Sequence, residues 1–170
     1  ACVLDNNYET LPPGKPGMLA VKGPTGCRYL ADRRQENYVK NGWNITGDIY
    51  TMDQDGYFWF VGRGDDMIIS SGYNISGAEV EDSLLEHPSV SECAVVAAPD
   101  KHRGNIVKAY IVLENEFEPA PSLTRDLQNH VKESIAPYKY PREIEFIDAL
   151  PKTETGKVKR FKLREAHASE

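Results

Sequence analysis

The chain has 170 residues, and its 20 Lys plus Arg against 26 Asp plus Glu give a formal charge of −6 at pH 7. At 40% hydrophobic and 27% charged residues it has the composition of a soluble globular protein, of one domain or two small ones, with apolar material enough for a core. No apolar run reaches the ~18 residues of a membrane span, no basic and then apolar leader opens the chain, and a net acidic chain makes a poor general nucleic-acid binder. Three scattered cysteines, Cys2, Cys27 and Cys93, match neither a disulfide framework nor a metal spacing. They suit a reducing, cytoplasmic setting. The four histidines, His87, His102, His130 and His167, have no ligand spacing and no nucleophile beside them, and read as structural or solvent-facing. No metal site is predicted.

The chain opens Ala1-Cys2-Val3-Leu4 with no initiator Met, which reads as a strand entered midway in a longer protein. Residues 1–64 read as strands and turns, punctuated by Pro12-Pro13-Gly14 and Pro16-Gly17. Strands are predicted over Met18–Lys22, Asn44–Met52 and Tyr57–Val61, the last two joined by a turn ending Asp55-Gly56. Ala31–Lys40 is polar and predicts a short helix. Trp43, Tyr57, Phe58, Trp59 and Phe60 have no long helix to cover them, so this region is expected to pack against protein outside the chain. Docking on the second half is the alternative.

Beyond Arg63-Gly64-Asp65-Asp66 the pattern changes. Met67–Ser70 is a strand. Ser76-Gly77-Ala78-Glu79 has the form of a capping box, and Val80, Leu84 and Leu85 make the apolar face of a helix that ends near His87-Pro88. Ser89–Ala98 and the almost wholly apolar Val107–Leu113 are strands, the second one central. Pro121 and Ser122 open a helix with Leu123, Leu127, Val131 and Ile135 at four-residue spacing, and Pro137 stops it. Glu143–Ile147 is a strand, Pro151–Lys159 a polar loop and Phe161–Ala166 a last helical turn. This order predicts an α+β domain, a small open sheet with helices on one side, over residues 65–170.

Three segments carry candidate chemistry. Thr155-Gly156-Lys157 looks like the end of a phosphate loop, but Pro151 stands where the first Gly is required and Val158 follows the lysine, so a Walker A motif fails. What remains is a Gly-hinged loop presenting Lys157 within a local basic cluster, which a solvated charged tail would equally explain. Asp48, just after a turn, suits two hydroxyl hydrogen bonds such as a ribose makes, and the fork of Arg63 suits the same hydroxyls or a phosphate oxygen. Taken singly, both also suit a surface turn. The third segment runs from Gly62 through Gly72 to Glu81. Glu79 and Glu81 read as a helix cap and a first-turn dipole partner.

Together, Thr46-Gly47-Asp48, Gly62-Arg63-Gly64-Asp65-Asp66 with Gly72 and Glu79-Val80-Glu81, and Pro151 through Lys157 resemble the adenylate-forming enzymes over essentially the whole chain. Pro137-Tyr138-Lys139-Tyr140-Pro141-Arg142 and Ser71-Gly72-Tyr73 are most similar to acyl-CoA synthetases for medium-chain or aromatic acids. The resemblance implies the β-rich end of a large adenylation domain over 1–64 and the mobile C-terminal domain over 65–170. It implies an acid–CoA ligase that uses ATP, with its Mg²⁺, and CoA, and forms acyl-AMP as intermediate. Asp48 and Arg63 would bind the ribose hydroxyls of ATP and AMP, Asp65 would be the hinge and Lys157 the adenylation lysine. Ser71, Gly72, Tyr73, Arg103, Tyr140 and Arg142 would take CoA, although Tyr140 and Arg142 equally suit strand-end packing. The family's phosphate loop, acid pocket and Mg²⁺ and adenine contacts lie upstream, so these residues alone are expected to be inactive. Asn105 stands where the family often has Glu. Asn74 stands where some medium-chain relatives carry a basic residue, which leaves an aryl acid open. A mitochondrial matrix location would follow if upstream residues held a transit peptide. Two other readings stand beside this one: loading of a carrier-protein thiol, and a non-catalytic fragment that binds CoA or a partner protein.

Overall fold

The computed structural model describes residues 1–23 and 35–165. Cys27, the first part of the helix predicted over Ala31–Lys40, Ala166 and His167 lie outside the described residues. The chain separates into two compact units, Ala1–Asp65 and Asp66–Glu170.

Unit 1 is an antiparallel sheet in the order β1 (Cys2–Leu4), β2 (Pro16–Val21), β4 (Trp43–Met52), β3 (Val39–Lys40), with β5 (Phe58–Arg63) also paired to β4. Its small core is Cys2, Leu4 and Ala20, backed by Tyr8, Trp43 and Ile45. The predicted Asp-Gly hairpin forms: Asp53 Oδ1 accepts the N–H of Asp55 and of Tyr57 at 3.0 and 2.9 Å. The helix predicted to Lys40 ends earlier: among the described residues α1 is Gln35–Tyr38. Asn41 and Gly42 take φ of 51° and 77°, the left-handed pair that closes a two-residue hairpin, and so draw Val39 and Lys40 into the sheet opposite Asn44 and Trp43. Tyr57, Trp59 and Phe60 are exposed.

Unit 2 is built on a three-stranded sheet, β8 (Val90–Asp100), β9 (Gly104–Leu113) and β10 (Glu143–Phe146), with β9 central as its apolar run predicts. β8 and β9 are antiparallel, while β10 lies parallel to β9. A separate hairpin, β6 (Met67–Ser70) and β7 (Tyr73–Ser76), precedes α2 (Gly77–Leu85). The sequence reading had no strand at β7. Ser71 and Gly72 at φ 49° and 82° make the turn that creates it.

Alternation along the strands sends Cys93, Val95, Val107, Ala109 and Ile111 to one face. There they meet Val80 and Leu84 of α2, and Leu127 and Val131 of α3 (Pro121–Ser134). Ala94, Val96 and Tyr110 point the other way, onto Leu150 and onto Leu163 of α4 (Arg160–Glu165). Helices on one side only was therefore wrong. α4 covers the second face because Leu163 is buried and its carbonyl accepts the Tyr110 hydroxyl at 3.1 Å. Coverage of both faces explains why these strands read as continuous apolar runs. Each fully buried Val, Ile or Leu here contributes about 1.5–3 kcal/mol over exposure.

Candidate functional site

In unit 1, the β4–β5 register sets Asp48 opposite Arg63, and Arg63 Nη1 lies 3.1 Å from Asp48 Oδ1. Thr46 prepares this corner: its hydroxyl donates to the Leu19 carbonyl and accepts the Asp48 N–H at 3.2 Å. Gly64 lets the strands approach closely here, since a Cβ would meet the Gly47 carbonyl oxygen at a tight 3.1 Å. Both side chains keep solvent contact, at 29% and 53% exposure, so the carboxylate and the guanidinium form a ready two-point acceptor and donor. Asp65 holds Arg63 from the other side, with Oδ1 3.3 Å from Nε.

In unit 2, the Ser71-Gly72 turn is clipped to the turn between β8 and β9. The Ser71 N–H donates to the Arg103 carbonyl at 3.0 Å, and Arg103 Nη1 donates to Ser71 Oγ at 3.1 Å. Asn105 Nδ2 donates to the Ile69 carbonyl at 3.2 Å. Asp100 shapes the second turn by accepting the N–H of His102 and of Arg103, and these bonds hold its carboxyl below the usual range. Among the described residues, its chain neighbours aside, no atom lies within 4 Å of a Cβ built on Gly72, so the turn faces open space. Tyr73 stacks on Tyr138 at 4.6 Å between ring centroids. The sequence reading assigned Tyr138 no role, and its only signal was the aromatic and basic run from Pro137 to Arg142.

Tyr140 and Arg142 pair with each other, Arg142 Nη1 donating to the Tyr140 hydroxyl at 2.9 Å with its guanidinium 4.8 Å from the ring centroid. Lys132 also sits over that ring, at 4.4 Å. The Arg142 N–H donates to the Val107 carbonyl, which puts this pair beside the start of β9, the end of the sheet that carries Arg103.

Lys157 lies elsewhere. Its loop is closed by Thr153, whose N–H donates to the Lys157 carbonyl at 2.8 Å and whose hydroxyl accepts the Lys157 N–H at 3.0 Å. Gly156 at φ 83° makes the turn. Lys157 is exposed, and among the described residues its ammonium meets no hydrogen-bond or ion-pair partner. Lys152 ties this loop to Glu92 near the start of β8, 2.5 Å away. Eight residues of β8, roughly 26 Å at ~3.3 Å each, separate Glu92 from Asp100. The Lys157 loop and the Ser71-Gly72 turn thus belong to opposite ends of one ladder.

The two glutamates of α2 do more than cap it. The Glu79 N–H donates to Ser76 Oγ at 3.4 Å, as a capping box requires, but its carboxylate pairs with Lys139 at 2.5 and 2.6 Å. That pair fastens the Pro137–Lys139 turn to α2. Glu81 is buried, not a surface dipole partner. It accepts the Val95 N–H at 2.7 Å and both ends of its carboxylate take Arg160. It lies in the second turn of α2, and nothing in the local sequence hinted at either bond.

Residues 79–157 match the AMP-binding enzyme C-terminal domain. A human acyl-coenzyme A synthetase, ACSM4, mitochondrial, is 51% identical over 96% of this chain and 30% of its own length. An uncharacterized acyl–CoA ligase, YtcI, of Bacillus subtilis is 49% identical over 95% of this chain and 31% of its own. Among solved structures, an anthranilate CoA ligase, AuaEII, in complex with anthranoyl-AMP superposes with a TM-score of 0.85 at 41% identity, over 98% of this chain and 33% of that one. The chain spans about 30% of the length of the curated relatives it matches. Residues 79–157 thus match the AMP-binding enzyme C-terminal domain, within a sequence that is similar along nearly its whole length to acyl-CoA synthetases.

Proposed function

We propose that this chain is the C-terminal part of an ATP-dependent carboxylic acid–CoA ligase, which joins an alkyl or aryl acid to CoA through acyl-AMP and releases pyrophosphate and AMP. The observation that carries the reading is the placement of the Lys157 loop and the Ser71-Gly72 turn at opposite ends of one rigid ladder. Two chemistries on one mobile body, too far apart to serve one centre together, call for alternation.

In the first half-reaction the acid's carboxylate attacks the α-phosphate of ATP. Two anions repel strongly at contact, and the Lys157 ammonium placed between them offsets this as charge develops. Asp48 and Arg63 hold the ribose hydroxyls and so fix the nucleotide. Unit 2 then turns about Asp65. In the second half-reaction the thiol of CoA attacks the acyl carbonyl and AMP leaves with the bonding pair. Gly72 lets the pantetheine arm pass close to the backbone, with Ser71 and Tyr73 flanking it. Arg103, Tyr140 and Arg142 face the phosphates and the base. Mg²⁺ arrives with ATP in this reading, and its ligands lie outside this chain. Among the described residues no group of three or more His, Cys, Asp and Glu is placed to hold a metal.

The exposed Tyr57, Trp59 and Phe60 are, in this reading, surface that the large domain covers. No described helix is long and apolar enough to cross a membrane. The cytosol or the mitochondrial matrix is the proposed compartment. The test is Lys157→Ala in the whole enzyme. Acid-dependent exchange of pyrophosphate into ATP should fall by about 10²–10³-fold, while thioester formation from supplied acyl-AMP persists. Survival of the exchange would sink the assignment. Thioester formed on a carrier protein but not on CoA would replace the acceptor. Saturable CoA binding by a native protein that catalyses neither step would replace the ligase reading altogether.

A further inference from the structure

The two consecutive aspartates at the junction are each held by arginines of their own unit. Asp65 pairs with Arg63 at 3.3 Å. Asp66 Oδ1 takes Arg164 Nη1 at 2.9 Å, and its other oxygen lies 3.9 Å from Arg160 Nη1. Arg160 then clasps Glu81 with Nη2 at 2.7 and 2.9 Å from the two carboxylate oxygens, and Glu81 in turn accepts the Val95 N–H from the middle of β8. Arg160 opens α4, three residues after Lys157, and the Lys159 N–H closes the intervening loop onto the Pro151 carbonyl at 2.7 Å.

We propose that Arg160 and Arg164 are positioning residues for Lys157, because they join the first residue beyond the hinge, the loop bearing Lys157 and the central sheet into one lever. This rests on the reading of Asp65 as hinge and Lys157 as the adenylation lysine. With an arginine anchor on each side, torsion is confined to the link between Asp65 and Asp66. Its displacement reaches the ammonium without slack, since arginine–carboxylate bonds fix geometry as well as charge. A misplacement of about 1 Å at a reacting centre costs on the order of 10²-fold in rate.

The test uses the whole enzyme and follows both half-reactions. Arg164→Met should lower the kcat of acid-dependent pyrophosphate exchange by about tenfold or more, with the KM for ATP unchanged. Thioester formation from supplied acyl-AMP should hold within about twofold, the scale on which context shifts such contacts. Arg164→Lys, able to replace the bond to Asp66, should recover the exchange. Arg160→Lys, with one nitrogen where arginine brings Nε and Nη2 to Glu81 and Nη1 towards Asp66, should recover it only in part relative to Arg160→Met. Hydrogen exchange at the Gly156 and Lys157 amides should quicken in Arg164→Met while α3 stays protected. Equal loss of both half-reactions, no rescue by lysine, or unchanged exchange in the loop would each overturn the inference. Lys157→Ala runs alongside. If it leaves adenylation intact, the fault lies in the reading of Lys157 and the inference falls with it; if it abolishes adenylation while Arg164→Met does not, the inference alone falls.

Discussion

Removal of the Glu81 carboxylate is the sharpest structural perturbation this chain offers. Glu81 is 9% exposed and has two obligations, the Val95 N–H at 2.7 Å and the Arg160 guanidinium. In Glu81→Ala the N–H of Val95, in the middle of the edge strand β8, loses its acceptor, at about 1–3 kcal/mol. The guanidinium, 29% exposed, loses its partner. Breaking a fully buried pair costs about 3–5 kcal/mol, and the remaining access of Arg160 to water reduces that. A total of about 3–4 kcal/mol is expected, a large share of the 5–15 kcal/mol that holds a domain together. Glu81→Gln keeps an acceptor for Val95 and surrenders only the charge, so it should cost about 1–2 kcal/mol. The assay separates the units. Trp43 and Trp59, the only tryptophans, lie in unit 1, whereas α2, α3 and α4 lie in unit 2. In urea, Glu81→Ala should move the helical circular-dichroism transition to lower concentration and leave the tryptophan fluorescence transition in place. Ala and Gln variants of equal stability, or a shift confined to the fluorescence, would refute the assignment of Glu81 as the bracket between α2, β8 and α4.

Asp48→Ala should raise the KM for ATP by about 10–100-fold, the equivalent of one or two hydrogen bonds to a charged acceptor, with little change in stability; an unchanged KM would remove Asp48 from the ribose site. Gly72→Val should destabilise the chain by about 1–2 kcal/mol, because φ there is 82°, and should abolish thioester formation while sparing pyrophosphate exchange. Asp65→Pro should stiffen the junction and uncouple the two half-reactions, whereas equal loss of both would count against a hinge. Burial among apolar neighbours, with Glu81 beside it, pushes the Cys93 thiol up to about 12. Its neutral form is thus favoured in the fold, so this contribution to stability is whole below the unfolded thiol's pKa near 9 and is lost as the pH rises towards 12. Cys93→Ala should make the alkaline fall in stability over that window shallower, and denaturation curves at pH 9, 10 and 11 would check it.

Much of the architecture was legible in the chain itself. The four-residue spacing of Leu123, Leu127 and Val131 marks α3, Pro137 marks its end, and the apolar run ending at Leu113 marks the central strand, because burial on both faces leaves no polar alternation. The Asp-Gly turn marks the β4–β5 hairpin. The elements that were missed are those made by left-handed turns. Asn41-Gly42 converts the end of a predicted helix into β3, and Ser71-Gly72 creates β7. In each, two residues at positive φ decide the path of four neighbours. The candidate site divides in the same way. Asp48 and Arg63 stand out by motif, and the strand register then sets them face to face. Tyr138 and Arg160 do not stand out. Their partners, Tyr73 and Glu81, are 65 and 79 positions away in the chain, and periodicity carries no information at that range.

By itself, then, the sequence determined most of the element types, the central strand and the loop that presents Lys157, since these follow from local patterns of apolar, glycine and proline residues. Only the tertiary structure decided three things: that α4 closes the second face of the sheet, that Glu81 is a buried bracket and not a surface dipole partner, and that the Lys157 loop and the Ser71-Gly72 turn stand at opposite ends of one ladder. Each depends on which distant side chain arrives to satisfy a buried hydrogen bond or charge, and only a folded core settles that pairing.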